Sequence, residues 1–160
     1  MKRALTIAAL VGLGLFALIQ LVPYGWRHPN PPVTQDAPWP DGASERIARQ
    51  SCYDCHSNEV DYPVYSYVAP TSWLVRSDVD RARHELNFSE WDESSGEADD
   101  AIEQIEEGSM PLDRYELIHR DARLSDEEAA TLAVALAQMR DDDGSGRGDG
   151  DNREDERDDD

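Results

Sequence analysis

The chain has 160 residues, a formal net charge of −20 and a pI near 4.3. That length holds one modest domain and little else. The sign and size of the charge repel phosphate and exclude nucleic acid as a partner. The acid is unevenly spread, with eleven Asp and Glu against three Arg in residues 141–160.

Lys2 and Arg3 precede an apolar run, residues 4–22, whose polar members are Thr6 and Gln20. A helix of that length reaches roughly 28 Å, about the thickness of a bilayer core. Positive charge at residues 1–3 marks the cytoplasmic end, and Tyr24 and Trp26 sit at the depth that aromatic rings favour on the far side. A cleaved secretory signal also begins on a basic end, but its apolar region is shorter and leads to a small-x-small cleavage site. This run leaves instead through Gln20-Leu21-Val22-Pro23, so an uncleaved anchor is the preferred reading. Ala4, Ala8 and Gly12, spaced four apart, give only a weak helix-dimer signal.

Residues 23–43 carry Pro23, Pro29, Pro31, Pro32, Pro38 and Pro40. Proline at that density precludes a helix and predicts an extended spacer holding the domain some tens of ångströms from the membrane, with His28 exposed on it. Ser44 is the expected N-cap of a short helix with Ile47, Ala48 and Ser51 on one face. That helix runs into Cys52-Tyr53-Asp54-Cys55-His56. Two cysteines two residues apart, with histidine directly after the second, suit covalent haem attachment. The thiols add across the two vinyl groups, and the imidazole becomes the proximal axial ligand of the iron. Cys52 and Cys55 are the only cysteines. A thioredoxin-like redox pair and a zinc site are the rival readings. The first normally opens a helix after a strand, and the second lacks a fourth ligand.

Residues 57–70 contain three tyrosines and two prolines and read as an aromatic loop wrapping the porphyrin. Thr71 or Ser72 then caps a helix with Val75, Val79, Ala82 and Leu86 on one stripe, leaving His84 to solvent. After the anchors Phe88 and Trp91, residues 96–107 form a helix burying Ala98, Ala101, Ile102 and Ile105, stopped by Gly108. Met110 precedes Pro111, which favours extended backbone and projects the thioether from a loop. Met110 is therefore the expected distal axial ligand. His119 is the alternative distal ligand, and a gap-filling role in the core is the plainer reading of Met110. Ser125 and Glu128 form a capping box for the last helix, whose Leu132, Leu136 and Met139 face the helix at residues 44–51. From Asp141 onward the acidic, Gly-rich tail is expected to be disordered, and either solubilises the chain or steers a basic redox partner.

Taken together, Cys52-x-x-Cys55-His56-Ser57-Asn58-Glu59, Tyr62-Pro63-x-Tyr65-Ser66, Pro70-x-Ser72-Trp73-Leu74, Leu86-Asn87-Phe88-Ser89-x-Trp91, Met110-Pro111-Leu112-x-x-Tyr115-x-x-x-His119 and Ala122-x-Leu124-Ser125 resemble the bacterial haem-binding domain family. The resemblance covers residues 44–140. It implies a cytochrome c-like, all-α domain around one covalent haem c, carried by a membrane-anchored exported protein. Val64 stands where the pattern suggests tryptophan, and residues 77–83 are more acidic and arginine-rich than the pattern; both departures bear on packing and surface more than on ligation.

The expected protein is a single-pass inner-membrane protein, with residues 4–22 as anchor, residues 44–140 as a periplasmic mono-haem domain and residues 141–160 as tail. Cys52 and Cys55 attach the haem, and His56 and Met110 hold the iron. The expected function is single-electron transfer with protein redox partners, as a carrier more than as an enzyme. A haem-based gas or redox sensor, a peroxidase-like enzyme and a structural or assembly module of a respiratory complex are the alternatives.

Overall fold

The computed structural model describes residues 1–147, with side chains described to Asp143. The fold is all-α, and among the described residues no strand forms beyond one isolated bridge, Gln35 to Glu90. The elements are α1 (Lys2–Ile19), α2 (Gly42–Ser51), α3 (Tyr53–His56), a 3-10 turn (Val64–Tyr67), α4 (Thr71–Glu85), α5 (Trp91–Ser94), a second 3-10 turn (Ser95–Glu97), α6 (Ala98–Glu106), α7 (Asp113–Glu116), a third 3-10 turn (Arg120–Ala122) and α8 (Asp126–Arg147).

Helix α1 is apolar and long enough to cross a membrane, and none of its residues is buried in the protein. It stops at Ile19, three residues short of the apolar run, where the chain tightens into i to i+3 bonds, Leu21 N–H to Leu18 O at 3.1 Å and Val22 N–H to Ile19 O at 3.2 Å, ahead of Pro23. The Gln20 side chain ties this end to the domain. The Gln20 carboxamide donates to the Ala69 carbonyl at 3.0 Å and accepts from the Ala69 N–H at 3.0 Å.

The core lies where α2, α6 and α8 meet. Ala48, Ala98, Leu132, Leu136 and Met139 are almost fully buried there, joined by Phe88 and Trp91. Helix α8 packs on both α2 and α6, and more extensively on α6. Its N-terminus is a complete capping box. The Glu128 carboxylate accepts from Ser125 N–H at 2.9 Å, and the Glu128 N–H donates to Ser125 Oγ at 3.3 Å.

Three expectations are corrected. The N-cap of α2 is Asp41 and not Ser44. The Asp41 carboxylate accepts from Ala43 and Ser44 N–H at 2.7 and 2.9 Å, and those two bonds hold it below the usual carboxylate range. Ser44 lies inside the helix, fully buried, with its hydroxyl donating to the Asp41 carbonyl. The tail does not begin at Asp141, because α8 continues to Arg147. Arg140 pairs with Asp99 of α6 and with Asp141, and Asp143 accepts from Ser95 Oγ at 2.7 Å, so tertiary contacts carry the helix past the capped core. Residues 148–160, the rest of the expected tail, lie outside the described residues.

The third correction concerns the proline-rich segment, which is extended but is no free spacer. Its backbone is stitched to the segment after α4: Thr34 N–H donates to Ser89 O at 3.0 Å, Ala37 N–H to Phe88 O at 2.7 Å, and Trp91 N–H to Gln35 O at 3.0 Å. Proline has no N–H to donate, and the bonds come from Thr34, Gln35 and Ala37 in the stretch between Pro32 and Pro38. Gly25, at φ +83°, passes so close to α4 that a Cβ there would lie 2.6 Å from Ser72 O, and only glycine fits. His28 is correspondingly half-buried, bonded to the Ser66 carbonyl at 2.9 Å, with its ring between Tyr62 and Tyr67. The strap belts the domain and belongs to it.

A cavity presented by the cysteine-histidine turn

Helix α2 ends at Ser51, and the chain turns once through Cys52 into α3, so Cys52, Cys55 and His56 fall on one short stretch of wall. All three line a cavity of about 630 Å³, within the roughly 300–1,000 Å³ common for cofactor sites. Met110 lines the same cavity from the segment after α6. The wall is mainly apolar, with Phe88, Leu86, Ile105, Leu112, Leu132 and Leu136 among its residues, and Trp39 of the strap closes part of it.

His56 is held by its neighbour across the cavity wall. Its Nδ1 lies 3.0 Å from the Leu86 carbonyl, which can only accept, so Nδ1 carries the proton and Nε2 keeps its lone pair. Burial pushes the imidazole pKa below its usual value, outweighing the Leu86 bond that pulls it up, so the ring stays neutral. A neutral imidazole anchored through Nδ1 is the form that ligates iron, and a backbone carbonyl is a common anchor for such a ring.

The Leu86 carbonyl is itself fixed by buried polar contacts. Phe88 N–H donates to His56 O at 2.8 Å. Asn87 Nδ2 donates to Asn58 Oδ1 at 3.0 Å, Asn58 N–H to Ser89 Oγ at 3.0 Å, and Ser89 N–H back to Asn87 Oδ1 at 3.0 Å. Arg83 clamps the same region to the strap, donating to Ser57 O at 2.7 Å, Pro29 O at 2.9 Å and Asn30 Oδ1 at 3.0 Å. Asn58, Asn87 and Ser89 are all buried.

The thiols differ from those of a redox pair. Burial raises Cys52 to about 12, with Cys55 beside it adding to the effect. Cys55 is raised to about 12 by burial and by the carboxylates of Asp54 and Asp78. Reactive dithiols work through a lowered pKa, which is the reverse of this setting. Among the described residues no three His, Cys, Asp or Glu side chains converge closely enough to hold a metal ion.

Met110 is delivered by the end of α6. Gly108, at φ +68°, takes the left-handed position; its N–H donates to Ile105 O at 3.1 Å, and Ser109 N–H donates to Gln104 O at 3.0 Å. This paired closure is a Schellman motif, and it turns the chain so that the next residue meets the cavity. His119 does not line the cavity. Its Nε2 lies 2.6 Å from Tyr65 Oη, and its ring stacks at 4.3 Å on Tyr115, which does line it. Tyr115 in turn donates to Asp54 Oδ2 at 2.7 Å. The loop tyrosines expected to wrap the porphyrin turn elsewhere: Tyr62 and Tyr67 to His28, and Tyr65 to His119. His84 is exposed.

Comparison with known proteins decides the family. Residues 14–138 match the family described as a haem-binding domain. The chain belongs to the haem-binding domain family. No curated protein and no solved structure matches the chain. The match begins inside α1 and takes in the whole strap, in keeping with a domain that includes the proline-rich segment. As a haem protein, the chain offers a fitting cavity in volume, apolar lining and donor set, with a neutral imidazole and a thioether sulfur on its wall. Sequence reasoning missed Trp39, the Leu86 carbonyl, Tyr115 and the arginines Arg81 and Arg114 as lining residues. Leu86 and Tyr115 stand in the motifs of the resemblance and Trp39 is an aromatic residue set between Pro38 and Pro40, whereas nothing local marks Arg81 or Arg114.

Proposed function

We propose that the protein is a membrane-tethered c-type haem protein whose domain faces the periplasm and passes single electrons between protein partners. The observation that carries the reading is the shared cavity: His56, anchored through Nδ1 to Leu86, and Met110, presented by the Gly108 turn, line the same apolar space. In this reading Cys52 and Cys55 would hold the haem covalently through its two vinyl groups, and His56 and Met110 would ligate its iron. Haem, when bound, would supply a one-electron iron couple, and a thioether ligand together with an imidazole would raise its potential. The residues of the chain hold the ligands, exclude water and fix the imidazole tautomer. Arg81 and Arg114, the latter paired with Asp78 at 2.8 Å, are the cationic groups on the wall suited to the haem propionates, while Glu85, Glu97, Asp100 and Glu103 make the rest of the rim acidic. That rim and the net charge of −20 favour a basic redox partner.

The test is the absorption spectrum of the reduced full-length protein, matured in an exporting host, before and after carbon monoxide. An unchanged low-spin spectrum is expected, with Met110→Ala lowering the potential and admitting carbon monoxide. A carbon monoxide shift in the unaltered protein would overturn electron carriage and promote sensing or peroxide chemistry.

A further inference from the structure

In a chain with 35 Asp and Glu, the two longest stretches without any are residues 1–35 and residues 62–77. The structure packs these two stretches together. Gln20 is bonded both ways to Ala69, Gly25 lies against Ser72, His28 is bonded to Ser66, and Arg76 donates to the Arg27 carbonyl at 3.4 Å. The surface they form carries Arg27 and Arg76, the latter also paired with Asp80 of α4 at 2.6 Å. It also carries much of the exposed apolar surface of the domain. Val22, Tyr24 and Trp26 on the strap and Val64, Tyr67 and Val68 at the first 3-10 turn are all exposed, Val64 to 85%. In a 3-10 turn, residues three apart eclipse, so Val64 and Tyr67 project together.

We propose that this face is a second membrane contact, lying on the anionic bilayer surface beside the point where α1 enters it. The inference rests on α1 being a membrane anchor. Two features name the occupant as lipid. The face is continuous with α1, the one helix among the described residues apolar enough to span a bilayer, and the two stretches that build it contribute no carboxylate for anionic headgroups to repel. Tyrosine, tryptophan and arginine are the side chains that favour the headgroup layer. The strap therefore holds the domain down and does not project it outward. Helix α4 starts on this face at Ser72 and reaches the cavity wall at Asp78 to Glu85, about 9 to 20 Å further along its axis by its rise per residue. The haem site is thereby held at a set height and orientation over the membrane.

The test uses the full-length haem-loaded protein in vesicles of phosphatidylethanolamine and phosphatidylglycerol. Nitroxide labels are carried on an unnatural amino acid introduced singly at positions 10, 64, 68 and 134, with the haem spectrum checking each fold. Val134 is exposed on α8, and Leu10 is exposed within α1. Collision with membrane-soluble oxygen should exceed collision with a water-soluble nickel chelate at 64 and 68, with the reverse at 134. A label at 10 that is deep in lipid while 64 and 68 behave like 134 would overturn the docking face and leave the anchor standing. A label at 10 that is aqueous would remove the anchor and the docking face together. Labels at 64 and 68 shielded from both agents would mean a protein partner, such as a second copy, and would overturn the assignment to lipid.

Discussion

The two walls of the cavity are built to different standards. On the side of His56, the imidazole, the Leu86 carbonyl, Asn58, Asn87, Ser89 and Arg83 form one continuous set of hydrogen bonds, most of them buried. On the side of Met110, a four-residue exit from α6 relies on the backbone bonds of Gly108, Ser109 and Met110 to Gln104 and Ile105, and residues 106–109 are exposed. Buried polar groups are costly to leave unpaired, so the first wall holds one arrangement rigidly. The second has little to lose by moving. His56 is fixed by the fold, and Met110 is presented by a short turn.

The largest expected effect comes from the attachment residues. A Cys52→Ser, Cys55→Ser double variant should lose all haem that survives a denaturing gel, read by haem staining. Full retention would remove covalent attachment from the account.

Next in size is the network behind His56. Asn58→Ala leaves the Asn87 amide and the Pro32 carbonyl without a buried partner and should cost about 1–3 kcal/mol. The denaturant midpoint checks it, and a cost indistinguishable from zero would break the contrast between the two walls.

Gly108→Ala forces a Cβ into φ +68° and should cost about 1–2 kcal/mol, although nothing lies within 4 Å of the new atom. Its further signature should be easier carbon monoxide entry, because the turn that presents Met110 is strained. An equal loss of stability with no change in ligand access would mean that the turn serves α6 alone.

The smallest effect on stability is expected for Met110→Ala. Met110 is only half-buried and touches the cavity, so haem-free protein should unfold at nearly the same denaturant concentration as the unaltered chain. A loss as large as that of Asn58→Ala would show that Met110 belongs to the core and would erase the distinction drawn here.

Local chemistry made much of this legible in the sequence. The capping box at Ser125 and Glu128, the stop at Gly108, the stripe of Leu132, Leu136 and Met139 and the exposure of His84 each depend on residues within one or two turns of each other. The motif at residues 52–56 likewise carries its spacing within a single turn. The misreading of the α2 cap is local, between Asp41 and a serine three residues on that the packed interior buries. The other misreadings involve partners far away in the chain. His28 and the loop tyrosines pair with each other across about 35–40 residues, so neither stretch shows the contact by itself.

The sequence alone determined the all-α class, the apolar N-terminal helix and the candidate haem residues Cys52, Cys55, His56 and Met110, because spacing and periodicity are properties of neighbours. Tertiary structure decided that the proline-rich segment belts the domain, that α8 runs on to Arg147, that the Leu86 carbonyl sets the His56 tautomer, and that Met110, not His119, lines the cavity. Those outcomes depend on which backbone carbonyls and side chains remain available once distant segments have packed, and no local pattern encodes that.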